Sequence, residues 1–220
     1  MANRMRSDEL NIVNTEQVIE EKNIEPIDLF FDEMYLTESE KNERKDLAKA
    51  LFVIFSAILT IIKANETLKN EHDVAYYKDY VSDNMKSLYR ATFGSDKYSS
   101  QIDTFADNFI NVTMESILTG QKVDYFTSDA RATVNAENQS NAVYNQNQFE
   151  EAIRTGKEHK TWVTMHDKRV RKSHVEADGQ MVELDKPFLV GGYEMLFPLD
   201  QSLGAHSKEC VNCRCCVVYS

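Results

Sequence analysis

The chain has 220 residues, with 36 acidic against 25 basic side chains and a net charge of −11. That length holds one ordinary domain, or a compact domain with an extended arm, and an apolar share of 42% is enough for a real core. More than half of the acidic excess falls in residues 1–50, which argues against unassisted wrapping of duplex DNA.

Residues 1–36 read as an acidic amphipathic arm. Asn14-Thr15 and Pro26 offer short helix starts, and Ile27, Leu29, Phe30, Phe31, Met34 and Tyr35 form an apolar group able to dock on this chain or on a partner. Met1 to Glu20 is polar where a secretory signal needs an apolar centre. The expected compartment of synthesis is therefore reducing, and the four cysteines are read as thiols or metal ligands rather than disulfides.

Residues 37–127 read as a helical bundle. Thr37 and Glu40 have the spacing of a capping box, and an apolar helix follows through about Leu68. Its most hydrophobic stretch, Ala50 to Ile62, is interrupted by Ser56 and Thr60 and falls short of the roughly 20 apolar residues that cross a bilayer. A buried helix is expected, with no membrane partner. The second helix, about His72 to Thr92, carries Val74, Tyr77, Val81, Met85 and Leu88 at helical spacing and stops at Gly94. The third, about Ser99 to Leu118, repeats the pattern with Ile102, Phe105, Phe109 and Ile117 and stops at Gly120. Short polar links make the three pack as a bundle, with the aromatic stripes as its core.

Residues 128–220 read as a small α+β module behind that bundle, so the fold class is α+β. Ser128 to Arg154 is rich in Asn, Gln and Ala and is bracketed by Ser128 and Gly156 as one long helix lying across the module, with Arg131 and Glu137 as its notable charges. Its amides can satisfy a polar contact. After Gly156 the period turns extended: a strand at Thr161–Thr164, a short helix from Asp167 to Glu176, a turn at Asp178-Gly179, and a strand at Met181–Leu184. A further turn falls at Gly191-Gly192, and Cys213 to Tyr219 has the composition of a closing strand.

Chemistry concentrates at the end of the chain. Cys213 and Cys215 are two apart on that strand and face one way, while Cys216 faces the other. Cys210 precedes Cys213 by three, the spacing of a zinc knuckle, and His174 completes a tetrahedral set of Cys210, Cys213, Cys215 and His174, with His206 as substitute. The competing reading is a set of small buried thiols beside a hydrogen-bonded His174. An enzymatic reading also exists. His174-Val-Glu176 followed by Cys210-Val-Asn-Cys213 imitates the His-x-Glu and Cys-x-x-Cys pattern of zinc deaminases. It departs from that pattern at Glu209, where Pro belongs, and at the early Asp178-Gly179 turn. Lys168, Arg169, Arg171 and Lys172 form a local basic cluster that suits either a nucleic-acid contact or a solvated helix face. No Gly-rich phosphate loop, Gly-x-Ser-x-Gly elbow or His-Glu-x-x-His helix occurs.

The order Trp162, Asp167, Arg169-Val-Arg171, His174, Asp178-Gly179, Asp185, Pro187-Phe188, Pro198 and Asn212-Cys213-Arg214-Cys215 resembles the head-morphogenesis domain of phage Mu F-like proteins, the minor head proteins of tailed phages. The similarity covers about residues 128–220, and Arg131, Glu137, Asn138, Gln139, Asn141 and Ala142 look like its lead-in helix. It implies a virion component that forms in the host cytoplasm, joins the prohead near the portal, meets portal and major capsid or scaffolding proteins, and contacts packaged DNA. It implies no established catalysis. Cys210 and Cys216 are additions to the family's two cysteines. Some relatives carry C-terminal toxin domains; a chain ending four residues after Cys216 is expected to lack such cargo. On this reading Trp162, Pro187 and Phe188 are core, and Asp167, Arg169, Arg171, His174, Asp178, Gly179, Asn212 and Arg214 belong to a structural network. Cys213 and Cys215 hold the last strand beside it. The leading function is a structural minor capsid or head-morphogenesis protein; the alternative is a zinc-dependent nucleobase-type hydrolase.

Overall fold

The computed structural model describes residues 24–65 and 71–220. The expected helix start at Asn14-Thr15 and the expected helix end near Leu68 lie outside these residues. The first described helix, α1 (Glu25–Asp32), begins on Pro26 with Glu25 and Asp28 in its first turn, where acidic groups favour the positive end of the helix dipole. It buries Ile27 and Phe31, and Asp32 and Asp28 pair with Lys45 and Lys49 of the next helix. This part of the arm therefore packs on its own chain.

Helix α2 (Glu38–Ala64) starts on the expected capping box, with Thr37 and Glu40 satisfying each other's backbone N–H groups. Among the described residues it is the helix long and apolar enough to cross a membrane, but Leu51, Phe52, Phe55, Ile58, Leu59 and Ile62 are spent in the core. Each such side chain contributes about 1.5–3 kcal/mol of transfer free energy. Helices α3 (Glu71–Phe93) and α4 (Ser99–Thr119) complete the bundle. Helix α4 ends at Gly120 in the left-handed region, as its C-cap requires. A single turn, α5 (Val123–Phe126), leads into α6 (Asp129–Arg154), capped by Ser128 and packed along α2 more extensively than any other helix pair.

The module is built on a three-stranded antiparallel sheet in the order β2 (Met181–Glu183), β1 (His159–Val163), β5 (Cys216–Tyr219), with Trp162 opposite Val217 and Thr161 opposite Met181. A hairpin, β3 (Phe188–Val190) and β4 (Tyr193–Met195), turns on Gly191 and Gly192. Both glycines have positive φ, +59° and +84°, which a two-residue hairpin turn of this hand demands. Two short helices, α7 (Lys172–Ala177) and α8 (Ser207–Cys210), close the module.

Two expectations need correction. The helix expected from Asp167 begins only at Lys172, because the Asp167 carboxylate accepts from the Arg169 backbone N–H and holds a turn that competes with helix. The closing strand begins at Cys216, with Asn212 just before the thiols at φ +58°. The alternation of faces nevertheless holds: Cys213 and Cys215 join the core of the module, built on Trp162 and Phe188, while Cys216 joins the core of the bundle.

Candidate functional site

Trp162 is wholly buried on β1 and meets two rings edge-on, Phe188 at 5.3 Å and His174 at 5.7 Å between centroids. Phe188 is equally buried, while Pro187 is half-buried at the entry to β3. His174 sits on α7 with 1% exposure, and its Nδ1 lies 3.3 Å from Cys215 Sγ and 3.6 Å from Cys213 Sγ. The far side of the ring, Nε2, has no hydrogen bond but lies 3.4 Å from the Glu209 carboxylate. That carboxylate also accepts from Ser173 Oγ at 2.7 Å and lies 3.7 Å from Lys208 Nζ. It occupies the space a side chain at Gly191 would need, since a Cβ there would meet Glu209 at 2.7 Å. Sequence reasoning met Glu209 only as a departure from the deaminase pattern and gave it no role, although its place beside Cys210 was the available signal.

The His174, Cys213 and Cys215 ligand atoms all lie within 4.8 Å of one another. Cys210 stands apart, with its thiol 4.0 Å from the Asp200 carbonyl, and burial pushes that thiol up to about 11. His206 caps α8 through its Nδ1. The Cys213 thiol is held well below its ordinary range, by the Cys215 thiol first and the His174 ring next, against the opposing effect of burial. Glu176, the proton shuttle of a deaminase-like reading, is exposed on the opposite side of α7 and 3.8 Å from Lys172. Two positions along a helix point far apart, so the His-x-Glu spacing does not bring Glu176 to the thiols. The cavity beside the group is about 20 Å³, enough for one water and far below the roughly 300–1,000 Å³ of small-molecule sites.

Around this group runs a polar frame. Arg214, 8% exposed, donates to Glu33 at 2.9 Å and to Asp167 at 2.7 Å, tying the loop after α1 to the module. Partial desolvation of Asp167 is outweighed by the Arg214 hydrogen bond and charge together with the Arg169 and Val170 backbone N–H groups, and its carboxyl sits below the ordinary value. Arg169 pairs with Glu33, and Arg171 donates to the Val211 carbonyl. Asp178 accepts from the Thr164 backbone N–H at 2.7 Å, and Gly179 donates to the Trp162 carbonyl at 2.9 Å. The Asn212 backbone N–H donates to Asn138 of α6. Of the basic cluster, Lys168 and Lys172 are exposed, whereas the guanidinium groups of Arg169 and Arg171 are engaged within the chain.

Helix α6 supplies two charges whose roles diverge. Arg131 is buried against Thr113 and the Phe109 and Phe126 carbonyls, and burial pushes it down to about 10. Burial pushes the Glu137 carboxyl up to about 8. Because the unfolded value is near 4.3, the folded state keeps a proton that the unfolded chain has lost between about pH 4.3 and 8, and stability falls as pH rises through that window. Glu137→Gln keeps a neutral side chain. It is expected to exceed the parent in urea unfolding free energy by about 1–3 kcal/mol near pH 8.5 and to converge with it near pH 4.5; parallel curves across that range would refute the buried acid.

Lys160 was also missed. It is fully buried, donates to the Leu196 carbonyl at 2.8 Å, lies over the Phe149 and Phe188 rings, and is pushed down to about 8 by burial.

A helical bundle sharing its amide-rich helix with a small sheet module closed by a Cys/His group is the class of protein defined here. The model of the phage Mu protein F like family matches residues 101–218, more than half of the chain, and the chain belongs to that family, a family of phage head proteins. The match begins within α4, upstream of residue 128 where the resemblance was placed. The chain is also similar to the NAD(+)--arginine ADP-ribosyltransferase EFV of Enterococcus faecalis (strain ATCC 700802 / V583), at 24% identity over 170 residues. That similarity takes in 69% of this chain and 34% of the relative, so the chain spans about a third of that protein's length. No solved structure matches the chain.

Proposed function

We propose that this protein is a minor head protein that enters the assembling phage head beside the portal and works there as a structural component of the virion. The family match over residues 101–218 carries this reading. The geometry supports it, because the motif residues are engaged with one another and the cavity at the Cys/His group itself admits one water, beside an open groove of about 440 Å³ past Arg169, Arg171, Asn212 and Arg214. Portal and major capsid or scaffolding proteins are the proposed partners. Contact with packaged DNA would fall to Lys168 and Lys172, and with about two phosphates neutralised its affinity would fall with log salt at a slope of only about −2.

The experiment is protein identification in purified proheads and mature particles, with portal protein as the capture bait from assembling cells. Recovery in particles at fixed stoichiometry to portal supports the reading; absence from both particle types overturns it. The similarity to the Enterococcus faecalis enzyme motivates a second reading, transfer of ADP-ribose from NAD to arginine. Incubating the full chain with labelled NAD and an arginine-rich acceptor tests it, and labelled acceptor would favour catalysis over structure.

A further inference from the structure

We infer that His174 Nδ1, Cys213 Sγ and Cys215 Sγ hold one zinc ion, with a single water in the fourth position and Glu209 as the positioning residue for the imidazole. The first argument is distance. Two ligands of a tetrahedral zinc, one sulfur at about 2.3 Å and one nitrogen at about 2.0–2.1 Å, stand on the order of 3.6 Å apart. The imidazole nitrogen lies 3.3 and 3.6 Å from the two sulfurs. These separations, which also suit N···S hydrogen bonds, fit a bound ion, and they are reached by residues that come from α7 and from the loop before β5.

Charge supplies the second argument. The three side chains are 1–3% exposed, and an isolated charge in such a place is expensive. When zinc binds, two S–H bonds break, both protons leave to solvent, and two Zn–S bonds form; two thiolates and a neutral imidazole around a dication then sum to zero. The ion and its three ligands therefore carry no net charge, and the Glu209 carboxylate beside them lies 3.7 Å from Lys208 Nζ.

The orientation of the ring is the third. A metal-ligating histidine directs its other nitrogen at a carboxylate or carbonyl, which fixes tautomer and angle. With Nδ1 facing the sulfurs, Nε2 is the buried nitrogen without a hydrogen bond, and the Glu209 carboxylate stands 3.4 Å from it. Gly191 leaves room for that carboxylate, and Ser173 holds it from the other side. The cavity of about 20 Å³, bounded by Arg171 and Asn212 as well as the three ligands, accommodates the fourth, aqueous ligand and nothing larger. This set differs from the four-ligand set expected from spacing, because Cys210 turns to the Asp200 carbonyl.

The test uses the full chain, purified under reductant and loaded with zinc alone, with cobalt as a spectroscopic substitute. One zinc per chain is expected, released on denaturation. The cobalt form should show tetrahedral visible bands with a thiolate charge-transfer band. Cys210→Ser and Cys216→Ser should keep both signals, whereas Cys213→Ser, Cys215→Ser and His174→Ala should lose them. Glu209→Gln should bind zinc about 10- to 100-fold more weakly with the same cobalt spectrum. Should the ligand variants fail to fold, the parent chain still decides the matter through its melting temperature, which should rise with zinc and fall with chelator. A chain that binds no zinc and melts alike in both conditions overturns the inference. So does a Cys213–Cys215 disulfide in place of free thiols, and so does loss of zinc in Cys210→Ser. None of these outcomes bears on whether the protein is found in phage particles.

Discussion

Arg44→Ala is expected to lower the unfolding free energy by about 3–5 kcal/mol, the combined effect of lost packing and of buried amide oxygens left without a donor. Arg44 is fully buried in the joint between α2 and α6, one turn in from the Glu40–Gln148 end. Its guanidinium donates to Asn141 Oδ1 at 3.2 Å, Asn145 Oδ1 at 3.4 Å and Gln148 Oε1 at 3.0 Å, and lies over the Tyr144 ring. The same amides then reach across to the module: Asn141 Nδ2 donates to the Cys213 carbonyl and Asn145 Nδ2 to the Pro198 carbonyl, both at 3.1 Å. Asn141 and Asn145 thus accept from the bundle with one half of the amide and donate to the module with the other, while Gln148 Nε2 returns to Glu40 of α2. Removing the guanidinium strands these oxygens, and each buried acceptor left alone costs about 1–3 kcal/mol. Arg44→Met, which keeps the stem, isolates that electrostatic part from the packing part. Urea denaturation followed by circular dichroism reads both, and an Arg44→Met variant within about 0.5 kcal/mol of the parent would refute the account. A cycle with Asn141→Ala should give a coupling of about 0.5–3 kcal/mol, since the two side chains touch.

The composition of α6 made it legible as a helix able to make polar contacts, but not as the solvent of an arginine. Its partner, Arg44, lies 97 residues earlier than Asn141, and no local pattern carries a contact of that separation. The bundle helices were legible because apolar side chains recur at the helical period and because Thr37, Glu40, Gly94 and Gly120 mark ends with backbone chemistry of their own. Periodicity failed at Asp167–Arg171, where an aspartate caps its own turn and a basic run that looks helical is held in a loop. Lys160 could have been found. It shares a strand face with Trp162, so placing the indole in the core places the lysine there too, and its amine must then find an acceptor such as the Leu196 carbonyl. The thiols were legible in their alternation but not in their number at the site, because the direction of Cys210 depends on α8, a helix of four residues whose presence the spacing to Cys213 does not reveal.

Trp162→Ala is expected to cost about 3–5 kcal/mol, the range for truncating a large buried aromatic side chain. The indole is the largest fully buried side chain in the structure, and the module has few others of its size to close over the space. Its loss removes edge-on contacts with Phe188 and His174 together, so the ring facing Cys213 and Cys215 loses the wall that sets its plane. Trp162→Phe separates shape from polarity. It keeps an aromatic edge on both neighbours and removes the indole N–H, which faces the Cys215 thiol, so a loss of about 1–2 kcal/mol, well below that of alanine, is expected. Thermal melts by circular dichroism compare the two variants, and near-equal losses would mean that the N–H, not the ring, holds the site. The bundle core is a separate cluster built on α1 to α4 and the inner face of α6, so its far-ultraviolet helical signal should persist in Trp162→Ala after the module has loosened. One cooperative transition, in which bundle and module are lost together, would instead mean that the Arg44 joint transmits the damage from one core to the other.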